Sequence, residues 1–97
     1  MNNEKTISFI SDRKHYDIPE SSILYISMNK QDAFIHTSDG SVLKTRMTFA
    51  KIQHTLSANF IRITRGCLVS AMAIHSVGKL ITLSNGESLE YATQRHR

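Results

Sequence analysis

The chain reads mostly as short strands, because apolar and polar residues recur at a spacing of two in several separated runs. Residues 6–11 place Ile7 and Phe9 at alternate positions, a polar turn follows at 12–14, and residues 15–18 complete a first hairpin that Pro19 ends. Residues 22–28 (SILYISM) and 33–38 (AFIHTS) are β-branched or aromatic runs separated by the polar Asn29, Lys30, Gln31 and Asp32. Asp39-Gly40 marks a tight turn into residues 41–46. The spacing of Phe49, Ile52 and Leu56 predicts one helix over residues 48–56, with Lys51 and His54 turned away from the face that packs on the sheet. Strand character returns at 60–64 and 68–70, then at 80–84 and 87–92, the last two joined by Asn85-Gly86 as a two-residue hairpin turn. Residues 71–77 are ambiguous. Many short strands, one helix and no repeated strand-helix alternation predict a β-dominated domain of sandwich or barrel type.

Length and composition add boundaries to that picture. With 97 residues, 40% of them hydrophobic and 21% charged, residues 1–97 form a single globular domain, without a repeat or linker to divide it. The apolar run at 67–74 is interrupted by Ser70 and falls well short of the roughly 20 residues that span a bilayer. Residues 1–10 lack an apolar signal core, so the expectation is a cytoplasmic protein with no membrane partner. The single Cys67 cannot form an internal disulfide and suits a reducing compartment.

Charge changes the picture more. Residues 1–43 carry four basic and six acidic side chains, whereas residues 44–97 carry eight basic and two acidic. No acidic residue lies between Asp39 and Glu87, a window that holds Lys44, Arg46, Lys51, Arg62, Arg65 and Lys79. A cationic face is expected, suited to a polyanion.

The stretch at 59–70, NFIRITRGCLVS, sets Arg62 and Arg65 into otherwise apolar β-type sequence. Strand parity separates the two arginines: Ile61 and Ile63 share one face as core, while Phe60, Arg62 and Thr64 share the other. Arg62 then either pairs or stacks within the protein or meets a phosphate. Arg65 has the parity of the isoleucines, so the strand must break before or at Gly66 for it to reach solvent.

Catalysis and metal chemistry find little support. His15, His36, His54, His75, His96 and Cys67 fall into no ligand spacing, and no nucleophile motif or phosphate loop is present. Cys67, flanked by Leu68 and Val69, reads as a buried structural cysteine. We therefore expect no enzyme, no metal and no cofactor. Duplex nucleic acid suits the basic window better than single strands, because the aromatics Phe9, Tyr25, Phe34, Phe49 and Phe60 sit in core-like patterns rather than as a stacking platform. The alternative is a non-catalytic β interaction module whose basic face meets an acidic protein or membrane.

The order of these elements, with Ile35-His36-Thr37, Asp39-Gly40, the short helix, Phe60-x-Arg62-Ile63-x-Arg65, Leu68-Val69 and Asn85-Gly86 before Tyr91, resembles the LytTR-type (LytR/AgrA-like) DNA-binding domains from about residue 8 to residue 95. FIRITRGCLVS is similar to that family's F-x-R-I-H-R-S-x-L-V-N signature, with Thr64, Gly66 and Ser70 where His, Ser and Asn are common. The resemblance implies a mostly β fold of about ten short, mainly antiparallel strands in small sheets with one short helix. It also implies loops, not a recognition helix, in the major groove of duplex promoter DNA, usually with bending. The base contacts it implies are Asn29, Lys30, Gln31, Asp32, Arg65 and Arg95, with Lys44, Arg46, Arg62, Lys79, Thr93 and Arg97 as phosphate contacts. Typical members are bacterial response regulators with a receiver domain, for which this chain has no room. The expectation is an excised output domain or a stand-alone transcriptional regulator, with a second copy on paired sites and any receiver or regulatory partner outside the chain.

Overall fold

The computed structural model describes residues 5–91. Its first hairpin pairs β1 (Thr6–Ser11) with β2 (Lys14–Pro19) in antiparallel register, Ile7 opposite Ile18 and Phe9 opposite Tyr16. A 3-10 turn at Glu20–Ser22 leads into a five-stranded antiparallel sheet of order β5-β4-β3-β7-β6. Its strands are β3 (Ile23–Asn29), β4 (Asp32–Thr37), β5 (Val42–Arg46), β6 (Phe60–Thr64) and β7 (Cys67–Ser70). Between β5 and β6 lies α1 (Phe49–Thr55), and a second 3-10 turn (Ala71–Ala73) precedes a three-stranded sheet of β8 (Ile74–Val77), β9 (Ile81–Leu83) and β10 (Ser88–Leu89). The structure is mostly strands in small antiparallel sheets with one short helix, as the family resemblance implies.

The two faces of the central sheet carry different cores. On one, Ile26, Ala33, Ile35 and Leu68 meet Ile7, Phe9 and Ile18 of the first hairpin and Ile52 and Leu56 at the helix. On the other, Leu24, Tyr25, Ile63 and Val69 meet Ala73, Ile81 and Leu83 of the second sheet. Strand β3 sits between both, and its register with β4 slips between Ile23 and Tyr25. That slip sends Ile23 and Ile26 to one core and the adjacent Leu24 and Tyr25 to the other, so four consecutive side chains are buried. Each fully buried aliphatic side chain contributes about 1.5–3 kcal/mol relative to exposure.

The helix forms where its spacing predicts. Thr48 caps it by accepting the Lys51 backbone N–H on its hydroxyl, Ile52 and Leu56 face the core, and Lys51 and His54 are exposed. The side chain of Phe49 lies outside the described residues. At the other end, Lys5 donates to the Thr55 carbonyl at 2.6 Å, and Glu20 accepts from the backbone N–H and hydroxyl of Ser57 at 2.8 Å each.

Three expectations need correction. Ile61 is 46% exposed rather than core: it shares the face of Val69, opposite which it pairs, but β6 is the edge strand and the second sheet does not cover it there. Asn85-Gly86 is not a two-residue turn. Gly86 N–H donates to the Leu83 carbonyl and Leu83 N–H to the Glu87 carbonyl, which makes a three-residue loop with Gly86 at φ 94. Asp39-Gly40 repeats the pattern, with Gly40 at φ 92 between Thr37 and Ser41. The last strand covers only Ser88–Leu89 rather than residues 87–92, whose final residue lies outside the described residues.

On the second face His36 stacks on Tyr25 with ring centroids 4.0 Å apart, and its Nε2 lies 3.2 Å from the Ser27 hydroxyl. Burial holds the imidazole below its ordinary value of 6.5, against the opposing pull of the Glu87 charge. Burial, then Glu87, pushes the Tyr25 phenol up to about 12. Because the folded His36 releases its proton more readily than the unfolded chain does, its contribution is complete above the unfolded value and is lost as pH falls from there toward the folded value. The thermal midpoint should therefore drop as pH falls below the ordinary histidine value of 6.5, and His36→Phe, which keeps the stacked ring, should flatten that drop in a pH series of melting curves.

Candidate nucleic-acid interface

Antiparallel pairing brings four connections to one end of the central sheet. Asn29 pairs with Asp32 and Asp32 with Arg46, so the β3–β4 turn and the C-terminal end of β5 are neighbours. Ser27 pairs with Cys67 and Met28 N–H donates to the Gly66 carbonyl at 2.8 Å, which sets the β6–β7 turn against the same end of β3. The β1–β2 turn joins them from the side, because the buried Thr45 hydroxyl of β5 donates to the Ile10 carbonyl at 2.8 Å.

Between the first three connections lies an open concavity of about 480 Å³ lined by Met28, Lys30, Gln31, Arg46, Met47, Thr48 and Arg65. Among the described residues, three cations and no carboxylate line it. Like charges gathered together repel one another, and an anion entering the concavity relieves that repulsion.

The β3–β4 loop is shorter than its sequence suggests. Asn29 and Asp32 are strand ends, and only Lys30 and Gln31 form the turn, with Lys30 in the left-handed region at φ 62. That geometry exposes Lys30 and Gln31. Asp32 is half-buried and lies 3.8 Å from Lys44, a partly screened pair that moderates the charge of the lysine.

Arg65 reaches solvent because β6 ends at Thr64, before Gly66, with its parity already reversed. Arg62 pairs with Leu68 but Thr64 with Cys67, so β6 gains one residue over β7 and the parity reverses before Arg65. Gly66 has no left-handed backbone, and a methyl group there would meet Met28 at an ordinary 3.5 Å. Arg62 folds back along the turn, donating from Nε to the Thr64 carbonyl at 3.3 Å and from Nη2 to the Arg65 carbonyl at 3.1 Å. This geometry gives it a structural part, holding the backbone that carries Arg65.

The interface thus gathers Lys30, Gln31, Arg46 and Arg65 from the predicted set, with Lys44 and Asp32 beside Arg46. Asn29 is exposed at the end of β3 without lining the concavity. Lys79 sits apart, in the β8–β9 connection of the second sheet. Thr93, Arg95 and Arg97 lie outside the described residues. Sequence reasoning missed Arg13, exposed at the β1–β2 turn; its basic side chain was legible but its neighbours were not.

Cys67 is half-buried, and burial pushes its thiol up to about 11, which leaves little thiolate at neutral pH. Among the described residues no group of three His, Cys, Asp or Glu side chains could hold a metal ion, and no helix is long and apolar enough to cross a membrane.

Residues 13–96 match the family model of the LytTr DNA-binding domain. In fold, the chain is similar to the LytTr DNA-binding domain of a protein described as a methyl-accepting/DNA response regulator from Bacillus cereus, with a TM-score of 0.77 at 15% identity over 90% of this chain and 85% of that one. Among curated protein sequences none matches the chain significantly.

Replacing Arg62 with Ala should cost about 0.5–1.5 kcal/mol in urea unfolding and speed amide exchange at Arg65 and Gly66. Lys30→Gly should instead raise stability by about 1 kcal/mol, since glycine adopts the left-handed backbone without strain.

Proposed function

Because the chain belongs to the LytTr DNA-binding domain family, we propose that it binds duplex promoter DNA sequence-specifically, as the DNA-reading part of a bacterial transcriptional regulator in the cytoplasm. The concavity of Lys30, Gln31, Arg46 and Arg65 at one end of the sheet, free of carboxylates among the described residues, carries this reading. Loops do the reading, since α1 commits Ile52 and Leu56 to the core and spans only seven residues.

In this proposal Arg65, on a turn held by Arg62, donates bidentately to a guanine edge in the major groove, and Gln31, with Asn29 beside it, addresses an adjacent adenine. Lys30 and Arg46 neutralise phosphates on either side and release counterions. Asp32 acts through Lys44, limiting that lysine to a weaker phosphate contact. Arg95 as a base contact, and Thr93, Arg97 and Lys79 as backbone contacts, keep the roles the family resemblance implies. Reading two neighbouring grooves requires the duplex to bend, at a cost of about 1–6 kcal/mol that the added contacts offset. Two copies occupy paired sites, and the chain works either as an output unit joined to a receiver domain or as a small regulator by itself.

The test is fluorescence anisotropy of the chain on a duplex selected from a random pool, beside a scrambled competitor, over a salt series. Binding should fall steeply with salt and favour the selected duplex. Arg65→Ala should lose about 1–3 kcal/mol and relax the preference at one base pair, whereas Arg46→Ala should weaken both duplexes alike. Equal affinity of the unmodified chain for selected and scrambled DNA would sink the proposal, and preference for an acidic protein or an anionic vesicle would put the basic-face interaction module in its place.

A further inference from the structure

The β1–β2 turn holds two successive left-handed residues, Asp12 at φ 53 and Arg13 at φ 66. Two-residue hairpin turns of this kind favour glycine at the second position, because an L side chain there is strained. Aspartate tolerates the first position through its short polar side chain, but arginine brings no local advantage to the second. Among the described residues the Arg13 side chain has no hydrogen-bond or ion-pair partner, and it is exposed.

The turn is nevertheless rigidly mounted. β1 pairs with β2 residue by residue up to Ser11 and Lys14, Ser11 is buried, and the buried Thr45 hydroxyl ties Ile10 to β5. As a result Asp12 and Arg13 line a second open concavity of about 470 Å³ together with Asp32, Lys44 and Arg46. Arg46 lines this concavity and also the one that contains Arg65, so the two are neighbours that meet at Arg46. The family match begins at residue 13, which leaves β1 and Asp12 outside it.

We infer that the β1–β2 turn is an additional DNA-contacting element, in which Arg13 meets a backbone phosphate beyond the segment read by Arg65. This rests on the duplex-binding reading above. A phosphate suits Arg13 better than a base edge, because its turn joins the sheet end from the side and lines a concavity that Arg65 does not. Lys14, exposed beside it, reinforces the local charge.

The experiment compares Arg13→Gly and Arg13→Lys with the unmodified full chain on the selected and scrambled duplexes over a salt series, with urea midpoints measured in parallel. Glycine suits the left-handed position, so Arg13→Gly should be at least as stable as the unmodified chain and its binding defect cannot come from unfolding. Its affinity should fall about 3- to 10-fold on both duplexes, and the slope of log affinity against log salt should shrink by about one. Arg13→Lys should restore the slope. Unchanged affinity and slope in Arg13→Gly, while Arg65→Ala still loses sequence preference, would overturn the inference and leave the duplex-binding reading intact. Loss of preference at a single base pair in Arg13→Gly would overturn the phosphate assignment, and failure of the unmodified chain to prefer its selected duplex would remove the reading on which the inference stands.

Discussion

Strand β3 has to be buried on both of its faces, and most of the structure follows from how that is achieved. Ile23, Leu24, Tyr25 and Ile26 are consecutive, and a regular strand would send them alternately to either side. The register slip against β4 instead divides them into an outer pair and an inner pair, one for each core. The first core then requires the β1–β2 hairpin and α1 as its cover, and the second requires the small sheet of β8, β9 and β10. With both covers in place the sheet faces are largely occupied, and the ends of the sheet remain for contact with a partner.

The two ends differ in chemistry. One holds Glu20, Ser57 and the Asp39-Gly40 loop, where carboxylates accept backbone and hydroxyl protons and serve the fold. Acceptance of the Thr37 and Ser41 protons holds the Asp39 carboxyl below its ordinary range. The other end holds Lys30, Arg46, Arg65, Lys44 and Arg13, with Asp12 and Asp32 as the acidic side chains among the described residues there. Turn geometry differs as well. The glycine-bearing turns, Gly40 and Gly86, relax their left-handed backbone at no steric cost, whereas Asp12, Arg13 and Lys30 occupy the same region with side chains. Non-glycine residues held in that region commonly mark functional surface, and here all three lie at the cationic end.

A second register slip supplies the other half of the site. Without the extra residue that β6 gains between Arg62 and Thr64, Arg65 would keep the parity of Ile61 and Ile63. Arg62, one position removed from the isoleucine face, closes over the resulting turn and binds two of its carbonyls. The two arginines of one short run thus take different parts, one in the protein and one toward solvent.

Much of this was legible in the residues. Alternation, the helical spacing of Ile52 and Leu56, and the strand run at 22–28 marked the elements, because side-chain periodicity is local and survives in the order of residues. The acid-free window from Gly40 to Gly86 marked a cationic surface, and FIRITRGCLVS marked the family. The register slips, the three-residue loops at both glycine turns and the exposure of Ile61 were not legible, since each depends on which strand lies alongside. The sequence by itself determined most of the strands, the helix and the sign of the charge. Only the tertiary structure decided that Lys30, Arg46, Arg65 and Arg13, from four separate connections, share one end of a sheet, because strand pairing, a contact between residues far apart in the chain, is what brings those connections together.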